Sequence, residues 1–196
     1  LYAQYADSKA TSDFAFLDFS ARGVESQDAS EVGSAAFLTS FLGTDTIAGV
    51  AYVYDLYGGT ILGGSVAASE HSVMCSYGQP NEEMSFAKIL KDTPDGSILS
   101  VVSDTWNIYK ACTYWCKLAE EVKRKNITLV IRPDSGNPKE VITQMVKILK
   151  ESFSYHVNDK GYRVFDNLKI LWGDGIDESN YIETYEIMPQ IGFGVE

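Results

Sequence analysis

The chain has 196 residues, of which 45% are hydrophobic and 12% aromatic, and this composition excludes a disordered or linker-like protein. Its 27 acidic residues outnumber the 16 basic ones, and the net charge of -11 argues against binding to nucleic acid or to an anionic membrane surface. No apolar run is long enough to span a membrane, and the three cysteines are too few for a disulfide framework, which favours a reducing, cytoplasmic compartment.

Apolar runs rich in β-forming residues alternate with amphipathic stretches along the chain. This alternation predicts βα units around a parallel sheet. The candidate strands, in chain order, are Phe14–Phe19, Ser65–Ala68, Ile98–Ser103, Ile127–Ile131, Leu168–Trp172 and Ile191–Val195. The sequence therefore predicts an α/β protein.

Three of the intervening segments predict helices or helix contacts. The small residues of Ala29–Ala36 permit a neighbouring helix to approach closely. A later helix begins at Asn137 as its N-cap, with Pro138 in the first position and Glu140 completing a capping box. Its apolar stripe contains Val141, Met145, Ile148 and Leu149. The helix after Asp104 has a stripe of Ile108, Cys112, Trp115, Cys116, Ala119 and Val122.

Polar and titratable residues follow each of the first five candidate strands. These segments are Asp18–Gly23, Glu70–Ser72, Ser103–Asp104, Arg132–Gly136 and Gly173–Gly175. Parallel α/β folds carry their active sites at the carboxyl ends of the strands. Each segment alone is also explained as a cap or turn, because Asp, Ser and Gly are common there. Their recurrence at five strand ends predicts one functional face.

Two of the four arginines, Arg22 and Arg132, lie at these strand ends beside glycine or proline. A guanidinium group recognises phosphate through paired hydrogen bonds, so both are candidate anion ligands. A surface ion pair is the alternative in so acidic a chain. Arg124 and Arg163 lie in polar segments with lysines, which indicates solvent-exposed surface.

His71 follows small residues that leave room for a ligand, and it can act as an acid, a base or a nucleophile, or be a structural histidine. His156 lies in a polar stretch and is expected in an exposed loop. Cys75, Cys112 and Cys116 lack a second ligand set at zinc spacing, so we expect apolar packing roles for them.

Three aspartates, Asp104, Asp134 and Asp174, follow neighbouring candidate strands. They are suited to binding a ribose diol, or to holding Mg²⁺ through water on a polyphosphate ligand. As helix caps they would need no further role.

Six motifs combine these residues. They are DFSARGVESQ (Asp18–Gln27), GTDTIAG (Gly43–Gly49), SVAASEHS (Ser65–Ser72), SVVSDTWNIYKAC (Ser100–Cys112), IRPDSGNP (Ile131–Pro138) and ILWGDGID (Ile170–Asp177). Their order and approximate spacing resemble those of the nicotinamide phosphoribosyltransferases, within the nicotinate/nicotinamide phosphoribosyltransferase family. The resemblance extends from about Asp18 to the C-terminus.

The resemblance implies an α/β barrel of mostly parallel strands with surrounding helices, like that of the quinolinate phosphoribosyltransferases and incomplete in this chain. We expect residues 1–13 to end a preceding region, and residues 14–196 to form a barrel core truncated on its C-terminal side. The resemblance also implies a homodimer with shared active sites. The implied reaction converts nicotinamide and phosphoribosyl pyrophosphate into nicotinamide mononucleotide and pyrophosphate, in NAD salvage.

For the nicotinamide ring, the resemblance implies that Phe19 stacks on the pyridine and that Asp45 accepts a hydrogen bond from the carboxamide. Ser65 and Val66 would line the nicotinamide tunnel, and Arg22 would contact the ring or a phosphate. A carboxylate at position 45 would repel nicotinate, so nicotinamide is favoured as the substrate.

For the second substrate, the resemblance implies that Arg132 contacts phosphate and product, and that Asp134, Gly173 and Asp174 bind the ribose. Asp104 and Asp134 would lie near Mg²⁺ and the pyrophosphate, with the metal held through water. His71 matches the histidine that ATP phosphorylates in this family. His71 and Asp134 are therefore the expected catalytic residues, with Mg²⁺ as cofactor and ATP as activator.

Departures from the family pattern leave alternatives open. Ser20 and Ala21 stand where the family commonly has glycine and tyrosine, which changes the expected loop shape. The chain begins with Leu1 rather than methionine and ends on the apolar run IGFGVE, so we expect cut ends and an incomplete site. The alternatives are a nicotinate phosphoribosyltransferase, a phosphate-binding barrel aldolase or isomerase, and a non-catalytic fragment that assists folding or assembly.

Overall fold

The structure is a computed structural model that describes all residues from 1 to 196. Its internal contacts divide the chain into two compact units. The first comprises Leu1–Gln4 and Ser8–Ser65, and the second comprises Tyr5–Asp7 and Val66–Glu196. The expected boundary between residues 13 and 14 stays a prediction. None of the helices has the length and apolar character needed to cross a membrane.

The first unit contains a two-stranded parallel sheet and two packed helices. Its elements are β1 (Leu17–Asp18), α2 (Gln27–Phe37), β2 (Gly43–Thr44) and α3 (Ile47–Leu56). The single-turn helix α1 (Tyr2–Tyr5) comes before them in the chain, and its last residue is assigned to the second unit. A Cβ at Gly49 on α3 would lie 2.2 Å from the Cβ of Ser34 on α2, so any side chain there would force the helices apart. The close helix approach expected from Ala29–Ala36 is confirmed.

The second unit contains a four-stranded parallel sheet in the order β3, β4, β5, β8. The strands of the whole unit are β3 (Ala67–Ala68), β4 (Ile98–Val102), β5 (Thr128–Arg132), β6 (Tyr155–Val157), β7 (Arg163–Phe165) and β8 (Leu168–Ile170). Of these, β6 and β7 form a separate two-stranded sheet. Its helices are α4 (His71–Tyr77), α5 (Glu82–Asp92), α6 (Ile108–Arg124), α7 (Pro138–Leu149), α8 (Tyr181–Tyr185) and α9 (Ile187–Gln190). The α/β class with a parallel sheet is confirmed. The four strands form an open row with edges at β3 and β8, and no barrel closes within this unit.

Helix α6 packs its apolar face into the core of the second unit. Trp115 is completely buried, stacks on Phe86 with ring centroids 4.6 Å apart, and donates from Nε1 to Ser103 Oγ at 3.1 Å. The predicted apolar stripe is buried, apart from Cys116, which is half-buried. The tertiary contact of this face, rather than local propensity, therefore stabilises the helix.

Asparagine side chains cap the two long helices. Asn107 Oδ1 accepts a hydrogen bond from the Lys110 amide at 2.9 Å, and Asn137 Oδ1 accepts one from the Glu140 amide at 3.1 Å. Pro138 occupies the first turn of α7, where no backbone donor is needed. The predicted start of α7 is confirmed.

The strand predicted at Ile191–Val195 is wrong. Helix α9 ends just before it, and Gly192 at φ +82° turns the chain, so only Phe193 forms an isolated bridge, to Arg163. Phe193 is buried because its ring stacks on Phe165, with centroids 4.8 Å apart. The apolar character of this run therefore reflects packing rather than an extended strand.

The loop predicted around His156 is also wrong, because β6 and β7 form an antiparallel hairpin there. His156 lies in β6, is exposed as expected, and pairs through Nδ1 with Asp166 Oδ1 at 2.8 Å. All three residues of β6 are exposed, so the strand lacks the alternation of apolar and polar residues that would have predicted it. The first two predicted strands are likewise shorter than expected, at two residues each.

Candidate active site

The polar residues after β3, β4, β5 and β8 lie at one edge of the parallel sheet of the second unit. Parallel pairing aligns the carboxyl ends of these four strands, so the segments that follow them converge. Hydrogen bonds join three of these segments through Asp104, Asp134 and His71. The convergence predicted from the sequence is therefore seen for this group.

Asp104 is the centre of the cluster and its side chain is 4% exposed. Its Oδ1 lies 3.0 Å from His71 Nε2. Its Oδ2 accepts from the Asp134 amide at 3.0 Å and from Ser135 Oγ at 2.5 Å. Burial would raise the pKa of Asp104, but these donors outweigh it and hold the pKa below its usual range. Asp104 is therefore ionised at neutral pH.

His71 is the first residue of α4 and its side chain is 45% exposed. Because an ionised Asp104 can only accept at this contact, it favours the neutral imidazole tautomer that carries its proton on Nε2. The Nδ1 atom then keeps its lone pair. The geometry makes His71 an oriented nucleophile or base.

Arg132 ends β5 and its side chain is 11% exposed. Its Nε lies 3.5 Å from Asp134 Oδ2, and its terminal nitrogen donates to the Ser69 carbonyl at 3.4 Å. Ser69 is itself buried and accepts through Oγ from the Val102 amide. The guanidinium group is thus held between β3 and the loop after β5.

Asp134 places one carboxylate oxygen in a protein environment without a donor. Its Oδ1 is buried and has no hydrogen-bond partner. Burial raises the pKa of Asp134, and the negative charges of Asp104 and Asp174 raise it further. The positive charge of Arg132 lowers it, but the net shift is upward. A buried acceptor without a donor costs free energy that a ligand can recover.

Gly173 accommodates that same oxygen. A Cβ at position 173 would lie 2.0 Å from Asp134 Oδ1, so glycine is the residue that fits there. Asp174 follows with an exposed side chain, and its carbonyl accepts from Trp172 Nε1 at 2.6 Å. Val66, at the start of this unit, is exposed as well.

In the first unit, Asp18 organises the loop that carries two predicted ring ligands. Its buried carboxylate accepts from the Ser20 amide at 3.0 Å and from Thr44 Oγ1 at 2.9 Å. Burial opposes ionisation, yet these hydrogen bonds keep the pKa of Asp18 below its usual range. Phe19, half-buried, and Arg22, exposed, lie on the resulting turn.

Asp45 and Ser65 lie together in the first unit, because Ser65 Oγ donates to Asp45 Oδ1. Both residues are exposed, and this hydrogen bond uses only one of the two carboxylate oxygens of Asp45. The Asp45 amide also donates to the Asp18 carbonyl at 3.0 Å. The two strands of this sheet thereby fix the backbone at Asp18 and Asp45.

Mg²⁺ fits these residues only through water. No group of three or more His, Cys, Asp or Glu side chains is arranged to hold a metal directly. Asp104 already accepts three hydrogen bonds, whereas the unpartnered Oδ1 of Asp134 is an available oxygen. Oxygen donors and retained water are what Mg²⁺ prefers.

The cysteines are free thiols in three environments. Cys112 is buried, and burial followed by the effect of Cys116 raises its pKa to about 12. Cys116 is half-buried, which agrees with a packing role for both residues. Cys75 is exposed, so its predicted packing role is wrong.

Ser69 and Ser135 are the functional neighbours that the sequence did not single out as site residues. Ser135 lies inside the predicted segment Arg132–Gly136 and Ser69 directly before the segment Glu70–Ser72, yet serine is so common in turns that its type carries little information. Their positions at strand ends were the one available signal.

The sequence profile described as the "Nicotinate phosphoribosyltransferase (NAPRTase) family" matches residues 14–196. The chain is also similar to curated proteins named "Nicotinamide phosphoribosyltransferase". The protein from Xanthomonas campestris pv. campestris is 37% identical over 186 residues, which is 93% of this chain and 40% of that protein. The Acinetobacter baylyi protein is 31% identical over 182 residues, 81% of this chain and 36% of its own length.

A third relative, from Mycoplasma pneumoniae, is 32% identical over 203 aligned residues, 96% of this chain and 43% of the relative. The chain thus spans about two fifths of the length of the curated relatives that it matches.

Proposed function

Because the chain belongs to the nicotinate phosphoribosyltransferase family, we propose that the protein transfers the phosphoribosyl group of phosphoribosyl pyrophosphate to nicotinamide. The pyridine nitrogen forms a bond to the anomeric carbon of the ribose, and the bond from that carbon to the pyrophosphate oxygen breaks. The products are nicotinamide mononucleotide and pyrophosphate, so the reaction belongs to NAD salvage. The name shared by the three relatives is the observation that carries this proposal.

The chemistry requires a localised positive charge in an acidic chain. Arg132 is the largely buried cation of the strand-end cluster, and it is oriented by the Ser69 carbonyl and by Asp134. In this proposal Arg132 contacts phosphate and product, and stabilises the charge that develops on the leaving pyrophosphate. Arg22 contacts the ring or a phosphate.

Four residues are assigned to nicotinamide in this proposal. Phe19 stacks on the pyridine, while Ser65 and Val66 line the tunnel that admits it. Ser65 occupies one oxygen of Asp45, and the open oxygen accepts a hydrogen bond from the carboxamide NH₂. Nicotinate presents a carboxylate to Asp45 instead, and the like charges disfavour it.

The ribose of phosphoribosyl pyrophosphate is held by Asp134, Gly173 and Asp174. Asp134 Oδ1 is buried and lacks a donor, and glycine at position 173 avoids a side chain against it, so in this proposal a ribose hydroxyl supplies the missing hydrogen bond. Positioning of this kind brings the anomeric carbon and the pyridine nitrogen together, and it lowers the entropic part of the barrier. Asp134 is therefore catalytic because it binds the ribose and positions the reacting carbon.

Asp104 and Asp134 would hold Mg²⁺ through water, where the ion would supply positive charge against the pyrophosphate.

ATP activates the enzyme by phosphorylating His71. The lone pair of Nδ1 attacks the γ-phosphorus of ATP, the bond from that phosphorus to the bridging oxygen breaks, and ADP leaves. Asp104, which faces Nε2, stabilises the charge that the imidazole gains. The phosphorylated histidine lies near the pyrophosphate.

At larger scale, we propose that the parallel sheet is part of an α/β barrel, that the protein is a homodimer with shared active sites, and that it is cytoplasmic. The parallel pairing of β3, β4, β5 and β8, with helices between successive strands, supports the barrel. Its three free cysteines support a reducing compartment.

A steady-state assay with both bases tests the proposal. The protein is expressed from its full reading frame, including any residues that flank these 196. It is then supplied with phosphoribosyl pyrophosphate, Mg²⁺ and either nicotinamide or nicotinate. We expect pyrophosphate release with nicotinamide and a much lower kcat/KM with nicotinate. A preference for nicotinate would assign the protein to the alternative substrate.

A further inference from the structure

A hydroxyl group without a role in the proposed reaction lies against Asp104. Ser135 Oγ donates to Asp104 Oδ2 at 2.5 Å, and the backbone amide of Asp134 donates to the same oxygen at 3.0 Å. The opposite oxygen of the carboxylate faces His71 Nε2 at 3.0 Å. One carboxylate thus connects the loop after β5 to the first residue of α4.

The loop that presents Ser135 is fixed at both of its ends. It leaves β5 at Arg132, and it enters α7 through the N-cap at Asn137. Between them Gly136 has φ +95°, a conformation that glycine adopts without strain. The Ser135 hydroxyl is therefore brought to Asp104 by the backbone and does not depend on a flexible segment.

Two donors on one oxygen restrict the carboxylate. Rotation of the Asp104 side chain would break the hydrogen bonds from Ser135 and from the Asp134 amide together, so Oδ1 stays directed at His71. An acceptor fixed at Nε2 selects the imidazole tautomer that carries its proton there. Nδ1 is then the nitrogen with a free lone pair.

We propose that Ser135 is a positioning residue for His71: its hydroxyl holds the Asp104 carboxylate, and that carboxylate fixes the imidazole in the Nε2–H tautomer. The effect of Ser135 on phosphorylation of His71 by ATP rests on the proposed function. The effect of Ser135 on the His71 tautomer does not depend on that function.

The electrostatics of Asp104 agree with this role. Burial raises its pKa, and the hydrogen bond from Ser135 opposes that effect, together with those from His71 and the Asp134 amide. Arg132, Asp134 and Asp174 are the other charged groups of the cluster. Loss of the Ser135 hydroxyl leaves Oδ2 with only the backbone donor.

Imidazole tautomers are measured directly in the protein labelled with ¹⁵N-histidine. Long-range ¹H–¹⁵N spectra are recorded at a pH where the imidazoles are neutral, and His71→Gln assigns the His71 signals. His156 is an internal reference, because it faces Asp166 through Nδ1 rather than Nε2. We expect the Nε2–H form of His71 in the unmodified protein, a mixture of both tautomers in Ser135→Ala, and recovery of the Nε2–H form in Ser135→Thr.

An unchanged His71 tautomer in a folded Ser135→Ala protein would overturn the proposal, as would a mixture in the unmodified protein. The thermal midpoint shows whether the variant folds, and Ser135→Gly replaces it if it does not. Phosphorylation by γ-labelled ATP provides the second readout, with a rate about tenfold lower in Ser135→Ala, the size of one lost hydrogen bond. If the unmodified protein gains no label, the proposed role of ATP fails, and the tautomer measurement still decides the role of Ser135.

Discussion

Gly173 has no room for a side chain, because a Cβ would lie 2.0 Å from Asp134 Oδ1. We predict that Gly173→Ala displaces this carboxylate and weakens binding of phosphoribosyl pyrophosphate about tenfold. Overpacking should lower the free energy of unfolding by about 1–3 kcal/mol. Titration calorimetry and urea unfolding measure the two effects. Gly33→Ala, where a Cβ meets nothing within 4 Å, should lower neither quantity.

Asp45 is the residue on which the choice of base depends in this account. Asp45→Asn removes the charge that repels nicotinate, so the ratio of kcat/KM for nicotinamide to that for nicotinate should fall by at least about tenfold. Asp55→Asn, an exposed change on α3, is the matched control and should leave the ratio unchanged. Equal losses with both bases in Asp45→Asn would count against the role of Asp45.

Asp104 makes the stability of the second unit depend on pH. Its pKa is lowered in the folded protein, so its ionisation stabilises the fold above the unfolded pKa of about 3.9. That contribution disappears as the pH falls through the lower, folded pKa. Urea unfolding at pH values from about 2 to 6 should therefore show a steeper acid loss of stability in the unmodified protein than in Asp104→Asn. Parallel curves would mean that Asp104 is not the responsible group.

At the scale of the elements, the N-cap of α7 determines the position of the loop that holds Asp134 and Ser135. Asn137→Ala removes the acceptor for the Glu140 amide and should lower the free energy of unfolding by about 1 kcal/mol. Gln144→Ala, an exposed change in the middle of the same helix, should have no such effect. A loss of equal size in both variants would show that the cap does not stabilise α7.

The same element illustrates what local sequence can predict. Asn137 and Pro138 define a helix start through side-chain and backbone chemistry that depends on adjacent residues only, and the structure agrees. Ile191–Val195 has a β-forming composition, but stacking on Phe165 and a turn at Gly192 decide its conformation. Those contacts are distant in sequence, so composition alone could not reveal them.

At the scale of the whole molecule, the strand-end residues of the second unit could be predicted because parallel pairing aligns strand ends. The sequence therefore indicated Asp104, Asp134 and His71 before their hydrogen bonds were known. It could not indicate how Asp104 divides its two oxygens between His71 and Ser135, because that depends on the path of the backbone through Gly136. Nor could the sequence reveal that the Ser65 hydroxyl donates a hydrogen bond to the Asp45 carboxylate.

The charge of the chain acquires a specific meaning in this context. A net charge of -11 disfavours polyanionic substrates in general, yet the substrate that we propose, phosphoribosyl pyrophosphate, is a polyanion. Arg132 offers a local positive charge, because its guanidinium is held in place by Ser69 and Asp134. Binding of the substrate should accordingly depend on one oriented cation and on Mg²⁺ rather than on a broad basic surface.

The central claim is that the protein moves a phosphoribosyl group onto nicotinamide. ³¹P NMR of a mixture of the protein, nicotinamide, phosphoribosyl pyrophosphate and Mg²⁺ follows every phosphorus atom of the reaction at once. The account predicts that nicotinamide mononucleotide and pyrophosphate appear in equal amounts as phosphoribosyl pyrophosphate disappears. Consumption of phosphoribosyl pyrophosphate without the mononucleotide, or formation of a mononucleotide only when nicotinate replaces nicotinamide, would contradict it.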